Sequence, residues 1–153
     1  IILHTALNTM NTLNKDASSI MVKIGVNSAT DVTGFGLLGH LYTMLSGSNK
    51  SAKLIYPNIP IIDGVLDLVE NNTPSGTINN KNSVEKHTSF APTITEFQKI
   101  ILFDAQTSGG LLISVSADRS DQLLLEMSAN NIPAALIGEV VDNISNSTNI
   151  MVN

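Results

Sequence analysis

The chain has 153 residues and a formal net charge of −5, with 42% apolar and 14% charged residues. A chain of this length can bury roughly 70% of its unfolded surface, which predicts one domain with its own hydrophobic core. The absence of cysteine excludes disulfides and thiolate metal sites. A single arginine and an acidic balance argue against nucleic-acid binding, which needs clustered Lys and Arg.

The sequence also bears on cellular location. No apolar run approaches the roughly 20 residues that span a bilayer, and no secretory leader is visible. We therefore expect a cytoplasmic protein with no membrane partner. The chain opens with Ile1 and Ile2 rather than methionine, which suggests a fragment of a longer protein.

The first half of the chain predicts alternating helices and strands. Apolar residues recur every three or four positions from Ile2 to Val26, which predicts one amphipathic helix that ends at Gly25. A short strand from Ala29 to Val32, a glycine-rich turn and a second helix follow. The predicted strand from Ala52 to Tyr56 is the last regular element before a short helix at 65–69.

The second half begins with a polar stretch and then returns to regular elements. Residues 71–93 are rich in Asn, Ser, Thr, Lys and Pro, which predicts a long surface loop. Helices are predicted at 94–102, with Thr95 as N-cap, and at 118–131; strands are predicted at 111–115, 134–141 and 150–152, with a turn at 143–149. This order favours either an α/β or an α+β fold.

The stretch from Ser28 to His40 has the strongest chemical character. A carboxylate before a glycine-rich turn that opens a helix can hold a metal ion beside a bound phosphate. Asp31 could supply an oxygen ligand to Mg²⁺, while Gly34 and Gly36 would let an anion approach the helix N-terminus. The alternative is local: Thr33 caps the helix, and the acid only interacts with the helix dipole.

Two further interpretations of this stretch are rejected. The spacing Gly34-x-Gly36-x-x-Gly39 fits the dinucleotide fingerprint, but the preceding residues 27–31 are mostly polar and no acid lies about 20 residues later. His40 is interpreted as a partly buried, hydrogen-bonded side chain rather than a catalyst, because no acid or nucleophile is spaced to form a triad.

Two more segments offer candidate ligand contacts. Thr77 and Asn80 lie in the predicted loop and could touch a substrate, or the loop could simply be solvated. The small, hydroxyl-rich segment Thr107 to Gly110 could form an anion-binding nest of backbone amides. A tight turn or bulge before a buried strand explains it equally well. Ser108 is not in a nucleophile elbow.

Three motifs of this chain resemble a known family. Residues 30–40, TDVTGFGLLGH, and residues 104–115, DAQTSGGLLISV, are similar to two signatures of the selenophosphate synthetases, also called selenide, water dikinases. Residues 74–80, PSGTINN, are a weaker third match. The resemblance covers nearly the whole chain but only the C-terminal half of the family protein. Ala105 stands where the family usually has Pro, and Asn79 where Arg is common.

The resemblance implies a fold and an activity. The fold would be α+β, a two-layer mixed sheet of about four to six strands with helices on one face, like the C-terminal domain of aminoimidazole ribonucleotide synthetase. Residues 1–153 would form a single C-terminal domain of an enzyme that makes selenophosphate, AMP and phosphate from ATP, selenide and water. The N-terminal ATP-binding domain, which holds the family's catalytic Cys or selenocysteine and its Lys, would lie outside the chain.

The resemblance also implies a set of site residues. No catalytic residue is expected in this chain; Asp31 matches a family aspartate that binds Mg²⁺ beside the ATP phosphates. The expected partners are the N-terminal ATP-binding domain, small-molecule substrates and a second copy in a homodimer. The candidate substrate or phosphate contacts are Thr30, Gly34, Gly36, Thr77, Asn80, Thr107, Ser108, Gly109 and Gly110. The alternatives are another superfamily enzyme, such as a purine-pathway synthetase, or a non-catalytic binding or dimerisation module.

Overall fold

The computed structural model describes residues 2–144 and 149–153. Its α-helices are α1 (Ile2–Asn11), α2 (Lys15–Ile24), α3 (Gly36–Ser48), α4 (Val69–Asn72), α5 (Ser75–Val84), α6 (Glu96–Leu102) and α7 (Ala117–Ala129). Its strands are β1 (Ser28–Asp31), β2 (Lys50–Leu54), β3 (Thr88–Phe90), β4 (Leu111–Ser114), β5 (Gly138–Asp142) and β6 (Ile150–Val152). The predicted α+β class is confirmed, and most of the predicted turn at 143–149 lies outside the described residues.

The described strands form two sheets, whereas the sequence predicts one. A four-stranded mixed sheet has the order β3-β6-β2-β5, in which β2 pairs antiparallel with β5 and parallel with β6. β3 pairs in parallel with β6. β1 and β4 form a separate antiparallel ribbon in which Asp31 lies opposite Leu111. Among the described strands, the chain therefore crosses between the sheets from β1 to β2, from β3 to β4 and from β4 to β5.

A larger core lies between the four-stranded sheet and the helices α3, α5 and α6. Its fully buried side chains include Leu38, Leu45 and Phe103, and the rings of Phe103 and Phe90 meet edge to face with centroids 6.2 Å apart. The buried members of the larger core are Leu38, Leu41, Leu45, Ala52, Leu54, Tyr56, Val84, Ile94, Leu102, Phe103, Ile150 and Val152. Burial of this many apolar groups supplies most of the driving force for folding.

A smaller core lies between α2, α7 and the ribbon. It has four buried members, Ile20, Ile24, Leu123 and Met127. Successive strand residues point to opposite faces. On β4, Leu112 accordingly packs against the larger core and Ile113 against the smaller one. The ribbon thus has apolar groups on both faces and separates the two cores.

The prediction of a single helix from Ile2 to Val26 is wrong. The chain breaks between α1 and α2 at residues 12–14, where the Thr12 amide donates to the Thr9 carbonyl and Asn14 precedes the second helix. Thr and Asn are weak helix formers because their side chains compete for backbone groups. Apolar periodicity alone does not register such a break.

The prediction of a surface loop at residues 71–93 is also wrong. This segment contains α5 and β3, and Thr77 in α5 is only 1% exposed. The helix has no apolar stripe, since its sequence is SGTINNKNSV, so periodicity could not reveal it. It is stabilised instead by contacts with α3 and α6 and by hydrogen bonds of its polar side chains.

Candidate functional site

The candidate metal ligand, Asp31, is the last residue of β1. It is exposed, and its carboxylate makes no hydrogen bond or ion pair with the described residues. It lies at the rim of an open groove of about 530 Å³ between the ribbon and α2, lined by Asn14, Lys15, Ser18, Met21, Ala29, Thr30, Asp31 and Leu111. The Thr30 hydroxyl donates to the Asp31 carbonyl (3.2 Å), so Thr30 contacts the backbone of the same strand.

The turn after Asp31 is held by His40 on α3. The Thr33 amide donates to His40 Nε2 (3.0 Å), and the Thr33 hydroxyl lies 3.2 Å from the same atom. An Nε2 that accepts a hydrogen bond carries no proton, so this geometry fits a neutral imidazole. Thr33 as N-cap is therefore wrong: α3 starts at Gly36, with Phe35 at the capping position and no side-chain cap.

Gly36 lets α3 begin against the backbone that precedes the second motif. Its φ is +69°, and a Cβ there would lie 2.7 Å from the Phe103 carbonyl oxygen and 2.8 Å from that of Asp104. Both the dihedral angle and the close approach require glycine. The Gly36 amide donates to the Thr33 carbonyl (3.0 Å), so it is not free to bind an anion.

The second motif is hydrogen-bonded to the first. The Val32 amide donates to the Gly110 carbonyl (2.9 Å), the Gly109 amide to the Val32 carbonyl (2.8 Å), and the Gln106 amide to the Thr33 carbonyl (3.1 Å). A Cβ on Gly109 would overlap the Gln106 side chain and lie 3.0 Å from the Val32 carbonyl oxygen. These bonds join two segments about 75 residues apart in sequence, residues 31–36 and 104–110, which together are called the loop pair.

The third motif, on α5, holds this loop pair in place through side-chain hydrogen bonds. The Thr77 hydroxyl donates to Asp104 Oδ1 (2.9 Å) and accepts from the Ala105 amide (3.2 Å). Asn80 Nδ2 donates to the Gly34 carbonyl (2.8 Å) and to the Phe103 carbonyl (3.0 Å). In this structure both side chains hold backbone segments in place, and their contact with a substrate stays a prediction.

The structure thus brings the predicted site residues together, and they differ in how far each is exposed to solvent. Thr77 is buried, and Asn80, Ser108, Gly109 and Gly110 are partly so. The exposed members of the loop pair are Asp31, Gly34, Phe35 and Thr107. A ligand approaching this surface would meet one carboxylate, one hydroxyl, one aromatic ring and the glycine backbone.

Among the described residues of this surface, Asp31 is the carboxylate that a divalent cation would meet. No group of three or more His, Cys, Asp or Glu side chains within residues 2–144 and 149–153 is arranged to hold a metal. Mg²⁺ takes six oxygens and commonly uses one or two carboxylates together with phosphate and water. The exposed carboxylate of Asp31 fits that role, provided that the other ligands come from a nucleotide or from residues outside this chain.

Sequence reasoning missed two residues of the loop pair. Asp104 accepts from Thr77, and Gln106 both donates to the Thr33 carbonyl and packs on Gly109. Both lie inside the second motif, which signalled their importance but not their partners. Their hydrogen-bond partners, Thr77 and Thr33, are more than 25 residues away in sequence, so only the fold shows these contacts.

Comparison with known proteins identifies the family. Residues 4–148 match the family described as AIR synthase related protein, C-terminal domain. The chain belongs to this family. The AIR synthase related domain also shares its fold with the crystal structure of thiamine-monophosphate kinase from Stenotrophomonas maltophilia, with a TM-score of 0.52, 19% identity, and 84% of this chain and 31% of the other covered.

Curated relatives are more similar in sequence. A protein named selenide, water dikinase from Carboxydothermus hydrogenoformans is 40% identical over 138 residues, which are 90% of this chain and 40% of that protein. One of the same name from Shewanella putrefaciens is 43% identical over 136 residues, or 88% of this chain and 38% of the relative. The AIR synthase related domain thus spans about two fifths of their length. Within its described ranges, no helix combines the length and apolar character needed to cross a bilayer.

Proposed function

We propose that this chain is the C-terminal part of a selenide, water dikinase, which makes selenophosphate, AMP and phosphate from ATP, selenide and water. The supporting observation is the 40–43% identity to curated proteins of that name over about nine tenths of the chain. Catalytic groups, the ATP-binding domain, a homodimeric assembly and a cytoplasmic location belong to the same proposal.

Within that reaction, Asp31 holds Mg²⁺ beside the ATP phosphates. Its side chain is exposed and has no partner among the described residues. Asp31 is the last residue of β1, and the hydrogen bond from the Val32 amide to the Gly110 carbonyl fixes the backbone directly after it. A ligand on a rigid element is positioned more accurately than one on a free loop. Mg²⁺ held by this carboxylate would supply neutralisation of phosphate charge during phosphoryl transfer.

The other residues of the three motifs position this carboxylate. His40 orients the turn after it, Gly36 permits the start of α3, and Asn80 joins the two loops through their carbonyls. Their part in the reaction is geometric, because none of them presents a free charged group to the exposed surface. Thr107 and Gly34 remain the accessible candidates for phosphate contact.

The test uses a longer protein in which this chain is fused behind the remaining N-terminal part of the Carboxydothermus relative. We expect AMP and selenophosphate to form only when ATP, Mg²⁺ and selenide are all present. In Asp31→Asn the rate should fall at least about tenfold and the half-saturating Mg²⁺ concentration should rise, since a neutral amide is a weak ligand for a hard cation.

A matched control separates ligation from general charge effects. Asp118→Asn removes an exposed carboxylate in the first turn of α7 and should leave the rate and Mg²⁺ dependence unchanged. Normal activity of Asp31→Asn would contradict the metal role. Consumption of formylglycinamidine ribonucleotide instead of selenide would identify a purine-pathway synthetase, and no turnover with either substrate would favour a non-catalytic module.

A further inference from the structure

The outer edge of β5 has no partner strand among the described residues. β5 pairs only with β2, at the end of the four-stranded sheet. The Ala52 amide faces β6, where it donates to Asn149, while the Ile55 amide donates to the Ile137 carbonyl (2.9 Å). Because hydrogen bonds alternate along antiparallel strands, the backbone groups of Gly138 and Val140 point away from β2.

β4 has a matching free edge. In the described chain it pairs only with β1, and the Val32 amide donates to the Gly110 carbonyl at 2.9 Å. The same alternation turns the backbone groups of Leu112 toward β1 and those of Leu111 and Ile113 outward. Two strands of the protein thus present unpaired donors and acceptors.

The sequence of β4 is typical of a central strand. Its residues Leu-Leu-Ile-Ser form a nearly continuous apolar run, the pattern of strands that are covered on both faces. All four residues are nevertheless only half buried. β1, with the sequence Ser-Ala-Thr-Asp, has the polar character of an edge strand.

The connection between the two free edges points to one sheet. β4 is followed by α7 and then by β5, and a strand–helix–strand crossover ordinarily returns to the sheet it left. Leu112 on β4 and Ile137 beside β5 pack against the same larger core, so both strands border that core. Near the β5 edge, Leu136 and Val140 are 55% and 49% exposed.

We propose that β4 and β5 flank the position of one further strand, an extended apolar segment of the longer polypeptide. The AIR synthase related domain covers only about 40% of its curated relatives, so such a segment is available outside these residues. Inserted there, it unites the two sheets in the order β1-β4-X-β5-β2-β6-β3, where X is the added strand. The inference rests on the proposed place of this chain in a longer enzyme, but not on the reaction that the enzyme catalyses.

Amide hydrogen exchange measured by NMR tests this directly. In the isolated chain, the outward amides of Leu111, Ile113, Gly138 and Val140 should exchange rapidly, while the inward amides of Leu112 and Glu139 should be protected. In the longer fusion protein, all six should be protected, with the four outward amides slowed at least about a hundredfold. Equal exchange of the outward amides in both proteins would overturn the proposal, whether or not the fusion is active.

Two proline variants provide a matched pair. Val140→Pro removes an outward N–H and should leave the isolated chain folded, because proline is tolerated where a strand edge faces solvent. In the fusion protein it should abolish the protection of Leu111 and Ile113. Val141→Pro removes an inward N–H and should destabilise both proteins. Protection that appears in the isolated chain only at high concentration would instead indicate a second copy at this edge and contradict the proposal.

Discussion

The larger and smaller cores of this protein differ in how completely they are closed. The larger one contains fully buried residues such as Leu38 and Phe103. The candidate site adjoins this core, because Gly36 packs against the Phe103 backbone and Asn80 donates a hydrogen bond to the Phe103 carbonyl. The smaller one has only four buried members. Its two helices also carry strongly exposed apolar side chains: Val22 on α2 is 73% exposed and Leu125 on α7 is 70% exposed.

Because of this difference, the loop pair beside the larger core is better stabilised than the layer formed by α2 and α7 beside the smaller core. The loop pair gains its rigidity from the closed core and from hydrogen bonds supplied by three motifs, all within one chain. The smaller core has four buried members and lies against β4, which pairs only with β1 among the described strands. We therefore expect the site scaffold to be more stable than the layer formed by α2 and α7.

The largest effect should come from truncating the closed core. Leu38→Ala removes a side chain that is 0% exposed and should lower the free energy of unfolding by about 3–5 kcal/mol. Leu123→Ala in the smaller core should cost about 2 kcal/mol, because its surroundings can relax into a less complete cavity. Urea unfolding of the isolated chain measures both. Equal losses would remove the contrast between the cores.

Gly36→Ala should have the next largest effect. The added methyl would meet the Phe103 and Asp104 carbonyls at a positive φ, so we expect a loss of at least about 2 kcal/mol and a displaced loop pair. Gly47→Ala, near the other end of α3, meets nothing within 4 Å and should stabilise the helix by about 0.5–1 kcal/mol. Thermal melts of the two variants should shift in opposite directions.

Thr77→Val should weaken the attachment of the second motif to α5. The valine is close in shape but leaves the Ala105 amide and the Asp104 carboxylate without the Thr77 hydroxyl, at a cost of about 1–3 kcal/mol. Ser83→Ala removes an exposed hydroxyl on the same helix that bonds only to the Asn79 carbonyl, and should be close to neutral. A measurable loss confined to Ser83→Ala would contradict this assignment.

The smallest expected effect is a pH-dependent change in fold stability that arises from the surface carboxyl of Glu96. The hydrogen bond from Lys99 lowers the pKa of the Glu96 carboxyl, and the charges of Lys99 and Lys81 lower it further. A lowered pKa in the folded state stabilises the fold above about pH 4.3, the ordinary value for glutamate, and this contribution is lost as the pH falls through the lowered pKa.

Lys99→Gln is therefore expected to melt slightly below the parent at pH 6, with the difference shrinking toward pH 3 and also in high salt. Lys15→Gln, which alters an exposed lysine outside the ion pairs of residues 2–144 and 149–153, should show no such trend. Scanning calorimetry at several pH values compares them. A difference that grows on acidification would contradict the sign of the effect.

Much of the fold followed from local sequence rules. The predicted N-cap Thr95 forms a capping box with Gln98, in which each side chain bonds the other residue's amide. The strands predicted at 29–32 and 111–115 are observed at Ser28–Asp31 and Leu111–Ser114, each within one residue of its predicted bounds. The strand predicted at 134–141 begins only at Gly138, where pairing with β2 begins.

The candidate site was predictable as a set of residues but not as an arrangement. Asp31 and the two glycine-rich segments were identified from their chemical character and their resemblance to a family. Their meeting through the Val32, Thr33 and Gly109 backbone was not, because hydrogen bonds between distant segments leave no periodic pattern in the sequence. The polar helix α5 was missed for the same reason.

The sequence by itself determined the family, the α+β class, the positions of the apolar elements and the identity of the one exposed carboxylate in the first motif. Only the tertiary structure decided that the Thr77 and Asn80 side chains hydrogen-bond to the loop pair. It also decided that the described strands separate into two sheets and which strand edges have no partner among them. Local propensity and apolar spacing act over a few residues, whereas these features depend on partners that the fold alone brings within bonding distance.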